Sequence, residues 1–125
     1  MRYFTLDEFR CKHCGELPPD GMNPVLLEKL DMLRAAINAP IIVTSGYRCE
    51  THNRNVGGVR SSTHVTGSGA DIHCEQYGVD YMAEIAKRIG FDGIGKYPRK
   101  NPSDRFIHVD VRNNGETPAY YLWEG

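Results

Sequence analysis

Apolar residues recur at intervals of three and four in two stretches of the chain. Leu26, Leu30, Leu33 and Ile37 form one such series and Val79, Met82, Ile85, Ala86 and Ile89 the other. Each spacing predicts one apolar face of a helix. Asn23-Pro24 suits the start of the first helix, because an Asn side chain accepts an orphan amide and proline costs nothing at the first helical position. That helix runs to about Asn38 with Pro40 beyond it, and Gly90 stops the second. Ile41-Ile42-Val43-Thr44 has the branched composition and length of a buried strand. Residues Ala70 to Cys74, Gly93 to Tyr97 and Phe106 to Val111 read as further short strands. At the N-terminus, Thr5-Leu6-Asp7-Glu8 has capping-box spacing, so a short helix is expected before Cys11. The segment Gly15 to Gly21, with Pro18 and Pro19, reads as loop, and Ser45 to Arg60 as an irregular region with one helical turn at Glu50 to Asn55.

Helices thus alternate with short, unevenly connected strands. The expected fold is α+β, a small antiparallel sheet covered by helices. A length of 125 residues suits one domain spanning 1–125 with a short Cys-containing N-terminal segment. Tyr120, Tyr121 and Trp123 are assigned to core or edge packing. No Gly-x-Gly-x-x-Gly and no Walker-type lysine loop is present, so nucleotide binding has no support.

Charge narrows the partners. Fifteen Lys and Arg oppose sixteen Asp and Glu with no long run of either sign, which leaves no electrostatic footprint for nucleic acid. Apolar runs are too short for stable membrane insertion. The start Met1-Arg2-Tyr3-Phe4-Thr5-Leu6-Asp7 is followed by no apolar stretch of signal-peptide length, so no Sec signal is expected. A monomer is the expected state.

The candidate chemistry lies in two separated segments. In Phe106-Ile107-His108-Val109-Asp110-Val111, strand alternation puts Phe106, His108 and Asp110 on one face and three aliphatic residues on the other. In Ser62-Thr63-His64-Val65-Thr66-Gly67-Ser68-Gly69-Ala70-Asp71, a loop histidine is followed by glycines and by an aspartate entering a strand. Two imidazole nitrogens and one carboxylate can hold zinc and leave a fourth position for water. Taken singly, a strand histidine is more often a hydrogen-bonded structural residue than a ligand.

Together, the segments Ser62-x-His64-x-x-Gly67-x-x-x-Asp71 and Phe106-Ile107-His108-Val109-Asp110-Val111-Arg112 resemble the two signature motifs of the zinc D-Ala-D-Ala carboxypeptidase family, which shares its fold with the signalling domain of hedgehog proteins. Thr44-Ser45-Gly46-Tyr47-Arg48-Cys49, His52-Asn53 and Val56-Gly57-Gly58 are similar to its phage and prophage branch. The resemblance implies a Zn2+ metallopeptidase acting on peptidoglycan peptides, with His64, Asp71 and His108 as ligands. It makes Arg48 a catalytic and substrate-clamping residue, meeting either a substrate carboxylate or the negative charge developing on oxygen, and Ser62 a second polar contact. It also implies residence in the cytoplasm until lysis, or carriage in a phage particle. Gly69 stands where the family usually has alanine, which predicts looser packing with no ligand lost. Relatives carry an acidic residue or histidine a few places before the last ligand to activate water, whereas Arg105 stands three before His108. Asp104 and Asp110 are then the candidate catalytic carboxylates, Asp110 alternatively holding a ligand imidazole in its tautomer. The rival function is a zinc-bearing module that recognises wall peptides or a protein without cutting them.

Four cysteines remain. Cys11-Lys12-His13-Cys14 has the spacing of a zinc knuckle, which Cys49 and Cys74 can complete; disulfides and plain thiols are the alternatives.

Overall fold

Helix α1 (Pro24–Ile37) begins where the sequence places it, with the Asn23 side chain accepting the Val25 amide at 2.9 Å. It stops because Asn38 turns left-handed, at φ 55°. Asparagine is the residue after glycine that tolerates this conformation best. Leu26, Leu30, Leu33 and Ile37 are all buried, and each contributes about 1.5–3 kcal/mol by leaving water. The computed structural model describes residues 1–59 and 62–125. The N-terminal helix is a 3-10 turn, Leu6–Phe9, with the Glu8 carboxylate accepting the Thr5 amide at 2.6 Å. The helical turn α2 (Glu50–Asn55) lies in the irregular region, whose predicted end, Arg60, falls outside the described residues. Helix α3 (Val79–Ile89) packs on α1 and ends at left-handed Gly90, φ 98°.

The strands are β1 (Ile42–Ser45), β2 (Gly69–His73), β3 (Gly93–Tyr97), β4 (Phe106–Asp110) and β5 (Tyr121–Glu124). Their order is β1-β2-β4-β3-β5. Pairing is antiparallel from β1 to β3, and β5 adds in parallel to β3, so the sheet of this α+β fold is mixed. The expected buried strand at Ile41–Thr44 is instead an edge strand. Val43 faces the core while Ile42 is 49% exposed. Ala70, Ile72, Ile94, Ile107 and Val109 bury the face that α3 covers.

On the opposite face, register decides what meets. Asp71 pairs with His108, His108 with Gly95, and Gly95 with Trp123, so four strands contribute one row across the sheet. Gly69, Asp110, Gly93 and Tyr121 form the next row. Both β3 positions are glycine for a steric reason. A Cβ at Gly95 would lie 2.4 Å from the Trp123 indole, and one at Gly93 would lie 2.3 Å from the Asp110 carboxylate.

Strand β5 is held through Asp92, which is wholly buried. Its carboxylate accepts the amides of Asn113, Gly115 and Thr117 at 2.8–2.9 Å and the Thr117 hydroxyl at 3.2 Å. Asp92→Ala strands three amides, so unfolding in urea should show a loss of about 3 kcal/mol or more. A change within about 0.5 kcal/mol would mean the loop is held by other contacts.

Candidate metal centre

His64 is brought to the site by a loop and Asp71 and His108 by neighbouring strands. Each offers one donor atom, and all three atoms lie within 4.8 Å of one another. All three residues are buried. Asp71 Oδ1 is 3.2 Å from His64 Nε2 and 2.9 Å from His108 Nδ1. Donors around four-coordinate zinc at about 2.0–2.1 Å sit about 3.3 Å apart, so the set is close to the size the ion needs.

The partners of the other ring nitrogens assign the tautomers. His64 Nδ1 donates to the Gly46 carbonyl at 2.7 Å, which leaves a lone pair on Nε2. His108 Nε2 donates to Asp110 Oδ2 at 2.9 Å, which leaves one on Nδ1. Two lone pairs therefore point at a carboxylate oxygen. This arrangement is repulsive unless a cation or added protons lie among them, and the donor chemistry fits zinc.

The electrostatics agree. When added protons stand in for the cation, burial pushes the Asp71 carboxyl up, but hydrogen bonds from the protonated His108 and His64 rings outweigh it and hold the group well below the usual carboxylate range. Burial works against a charged His108, yet bonds to Asp110 and Asp71 prevail and raise its pKa. The pocket attracts positive charge.

Around this set lies a cleft of about 590 Å³. Arg48 and Ser62 line it, and each also holds partners within the protein. Arg48 donates to Asp71 Oδ2 at 3.3 Å, to Ser45 Oγ at 3.2 Å and to Asn53 Oδ1 at 3.4 Å. The Ser62 hydroxyl accepts the His64 amide at 3.2 Å. Asp110 lies wholly buried behind His108, its carboxylate also taking two bonds from the Arg112 guanidinium at 3.0 and 2.7 Å. Burial again pushes its pKa up, and bonds from His108 and then Arg112 hold it well below the usual range. Asp104 sits on the exposed 3-10 turn Pro102–Asp104, outside the residues lining the cleft.

Several residues at the site were given no site role by the sequence, Trp123 being assigned to core or edge packing and Phe106 only to the face of His108 and Asp110. Trp123 rests against the ligand ring, its centroid 5.3 Å from that of His108. Tyr97 and Phe106 stack at 4.4 Å to form part of the wall, and Arg99 lies over Tyr97 at 5.2 Å. The Gly-x-Gly of β3 was the available signal, since glycine inside a strand marks a close approach. The expectation for Gly69 needs correction. A Cβ there would lie 2.2 Å from the Thr63 hydroxyl and 3.0 Å from His108 Cε1. Thr63 fills the space, so glycine does not loosen the packing here.

Cys11, Cys14 and Cys49 have their sulfurs within 4.8 Å of one another. Cys74 is apart from them, buried with its thiol toward Gln76 Oε1 at 3.6 Å. Among the described residues, no helix is long and apolar enough to cross a membrane.

A family profile described as Peptidase M15 matches residues 2–110. The chain is 38% identical over 91 residues to the zinc D-Ala-D-Ala carboxypeptidase of Streptomyces albus G, covering 70% of this chain and 36% of that protein. It is 30% identical over 98 residues to the peptidoglycan L,D-endopeptidase MepK of Escherichia coli K12, covering 73% of this chain and 52% of that one. It therefore spans from about a third to about half of the length of these relatives.

The Gly69 contact is open to a double-mutant cycle. Gly69→Ala should cost about 1–3 kcal/mol of unfolding free energy, and Thr63→Ala in the same chain should return at least half of it. Additive losses would show that Thr63 is not what excludes the methyl group.

Proposed function

This chain belongs to the peptidase M15 family, and from that premise we propose that it is a zinc-dependent hydrolase of an amide bond in peptidoglycan stem peptides or related D-amino-acid peptides. The observation that carries the reading is the convergence of the His64 Nε2 and His108 Nδ1 lone pairs on Asp71 Oδ1 at the floor of a cleft. The names of the two relatives support a peptidoglycan-type substrate. The segments Thr44–Cys49 and Val56–Gly58 support the phage and prophage branch, and with it release at lysis or carriage in a particle.

His64, Asp71 and His108 would hold the zinc, which supplies Lewis acidity toward a carbonyl and lowers the pKa of water. The chain does the positioning. Gly46 fixes the His64 ring, the Arg112–Asp110 pair fixes the His108 ring, and Arg48 holds Asp71 Oδ2 so that Oδ1 faces the imidazoles. Tyr97, Phe106 and Trp123 give the cleft an aromatic wall for the peptide. Arg99 also lines the cleft and has no carboxylate partner among the described residues, which suits it to a substrate carboxylate. We assign Asp110 to orienting His108, because both its oxygens are already bonded.

One observation favours a second reading. Asp71 is the one carboxylate among the described residues that line the cleft, and it belongs to the metal set. A site without a free base suits a module that binds wall peptides and leaves them intact.

Digestion of defined muropeptides with zinc-loaded protein, followed by mass measurement, separates the two. The hydrolase reading predicts products of one cut amide bond that disappear with a chelator or with His108→Ala. Retained binding with no product would establish the recognition module instead. If cleavage is seen, Arg99→Ala should raise KM about tenfold for peptides with a free terminal carboxylate and much less for their amides. Equal effects on both would remove Arg99 from carboxylate recognition.

A further inference from the structure

The three clustered cysteines lie in the layer of the molecule that supports the first site. Cys11 is buried, Cys49 is half-buried and Cys14 is exposed. Cys11 and Cys14 sit at the ends of a tight turn, in which the Gly15 amide returns to the Cys11 carbonyl at 2.8 Å and Gly15 adopts φ 75°. Cys49 immediately precedes α2, on the far side of the same cluster. Backbone amides are aimed at the sulfurs. Cys11 Sγ accepts the amides of His13 and Cys49, each at 3.4 Å, and Cys49 Sγ accepts that of His52 at 3.4 Å. Amides turned in this way favour thiolate over thiol.

We infer that Cys11, Cys14 and Cys49 hold a second, structural zinc ion, with His52 completing a Cys3His set. The spacing repeats, since Cys11-x-x-Cys14 is matched by Cys49-x-x-His52. Cys3His is a closed four-ligand shell of the kind used by structural zinc, and soft thiolates select that ion. Sulfurs at about 2.3 Å from a tetrahedral zinc lie about 3.8 Å apart, and the observed cluster falls within 4.8 Å. His52 is half-buried and stacked on His13, the ring centroids 6.1 Å apart and the planes at 7°; its ring lies outside the group formed by the three sulfurs and would turn inward to bind the ion. A disulfide accounts for the gathering less well, because it joins two sulfurs and leaves the third with no reason to be there.

The ion would tie the N-terminal segment to the strand-to-helix loop that serves the catalytic face. That loop already lies tight on the segment. Tyr47 donates to the Phe9 carbonyl at 2.8 Å, and a Cβ at Gly46 would be 2.6 Å from Phe9 Cα. Gly46 holds the His64 ring and Arg48 holds Asp71, so the cysteine cluster braces two supports of the first metal set.

Metal counting on the intact chain, purified with reductant, tests the assignment. The His108→Ala protein should keep one zinc per chain. Adding Cys14→Ser, at an exposed position, should remove it, whereas adding Cys74→Ser should not. Loading the His108→Ala protein with cobalt(II) should give thiolate charge-transfer absorption that is absent when Cys14 is serine, with circular dichroism confirming that each variant is folded. His52→Ala should release this zinc to a chelator at least about tenfold faster. The inference fails if the His108→Ala protein holds no zinc, if its zinc is unchanged by Cys14→Ser, or if thiol titration before reduction finds two of the three cysteines already joined. Unchanged release from His52→Ala removes His52 from the set. None of these outcomes depends on whether the chain cuts peptidoglycan.

Discussion

Asp71 Oδ1 faces two imidazole nitrogens whose protons are committed elsewhere, and the rest of the structure is organised around that contact. Three electron-rich atoms within hydrogen-bond distance repel one another unless positive charge joins them. The protein keeps them there with bonds from behind. His64 is pinned by the Gly46 carbonyl, His108 by Asp110, and Asp71 by Arg48. Each pin fixes a tautomer or an oxygen as well as a position, so the donor atoms are specified as well as the residues.

The sheet supplies the precision this requires. Asp71 and His108 are cross-strand partners, and their separation is set by the ladder more than by side-chain freedom. Beyond His108 the next strand carries glycine at both levels, which admits the Trp123 ring on one row and the Asp110 carboxylate on the other. Trp123 depends in turn on a loop gathered around buried Asp92. The helices take part only indirectly, by burying the opposite face of β2, β3 and β4.

Both longer helices were legible because their signal is local, a period of three and four ended by a left-handed residue, with a side-chain cap at the start of α1 as well. The two metal-binding segments were legible as a pair of motifs, while their meeting is a matter of strand register. Strand β5 was not legible. Tyr121, Leu122 and Glu124 are exposed, so no alternation marks it, and its place depends on Asp92 some thirty residues earlier. The Ile41–Thr44 run looked buried because branched composition does not distinguish a central strand from an edge. Gly69 was misjudged because the atom that replaces the missing methyl belongs to Thr63, which only the folded loop brings close. The two possible roles of Asp110 could not be separated until Arg112 was seen on the same carboxylate.

The central claim is that a cation belongs among His64 Nε2, Asp71 Oδ1 and His108 Nδ1. A crystal of the zinc-loaded protein, with anomalous differences collected on both sides of the zinc absorption edge, tests it directly. The account predicts a peak within coordination distance of those three atoms, with His108 bound through Nδ1 and its Nε2 still on Asp110. No peak at that place, or a zinc bound through His108 Nε2 with the Asp110 contact broken, would contradict it.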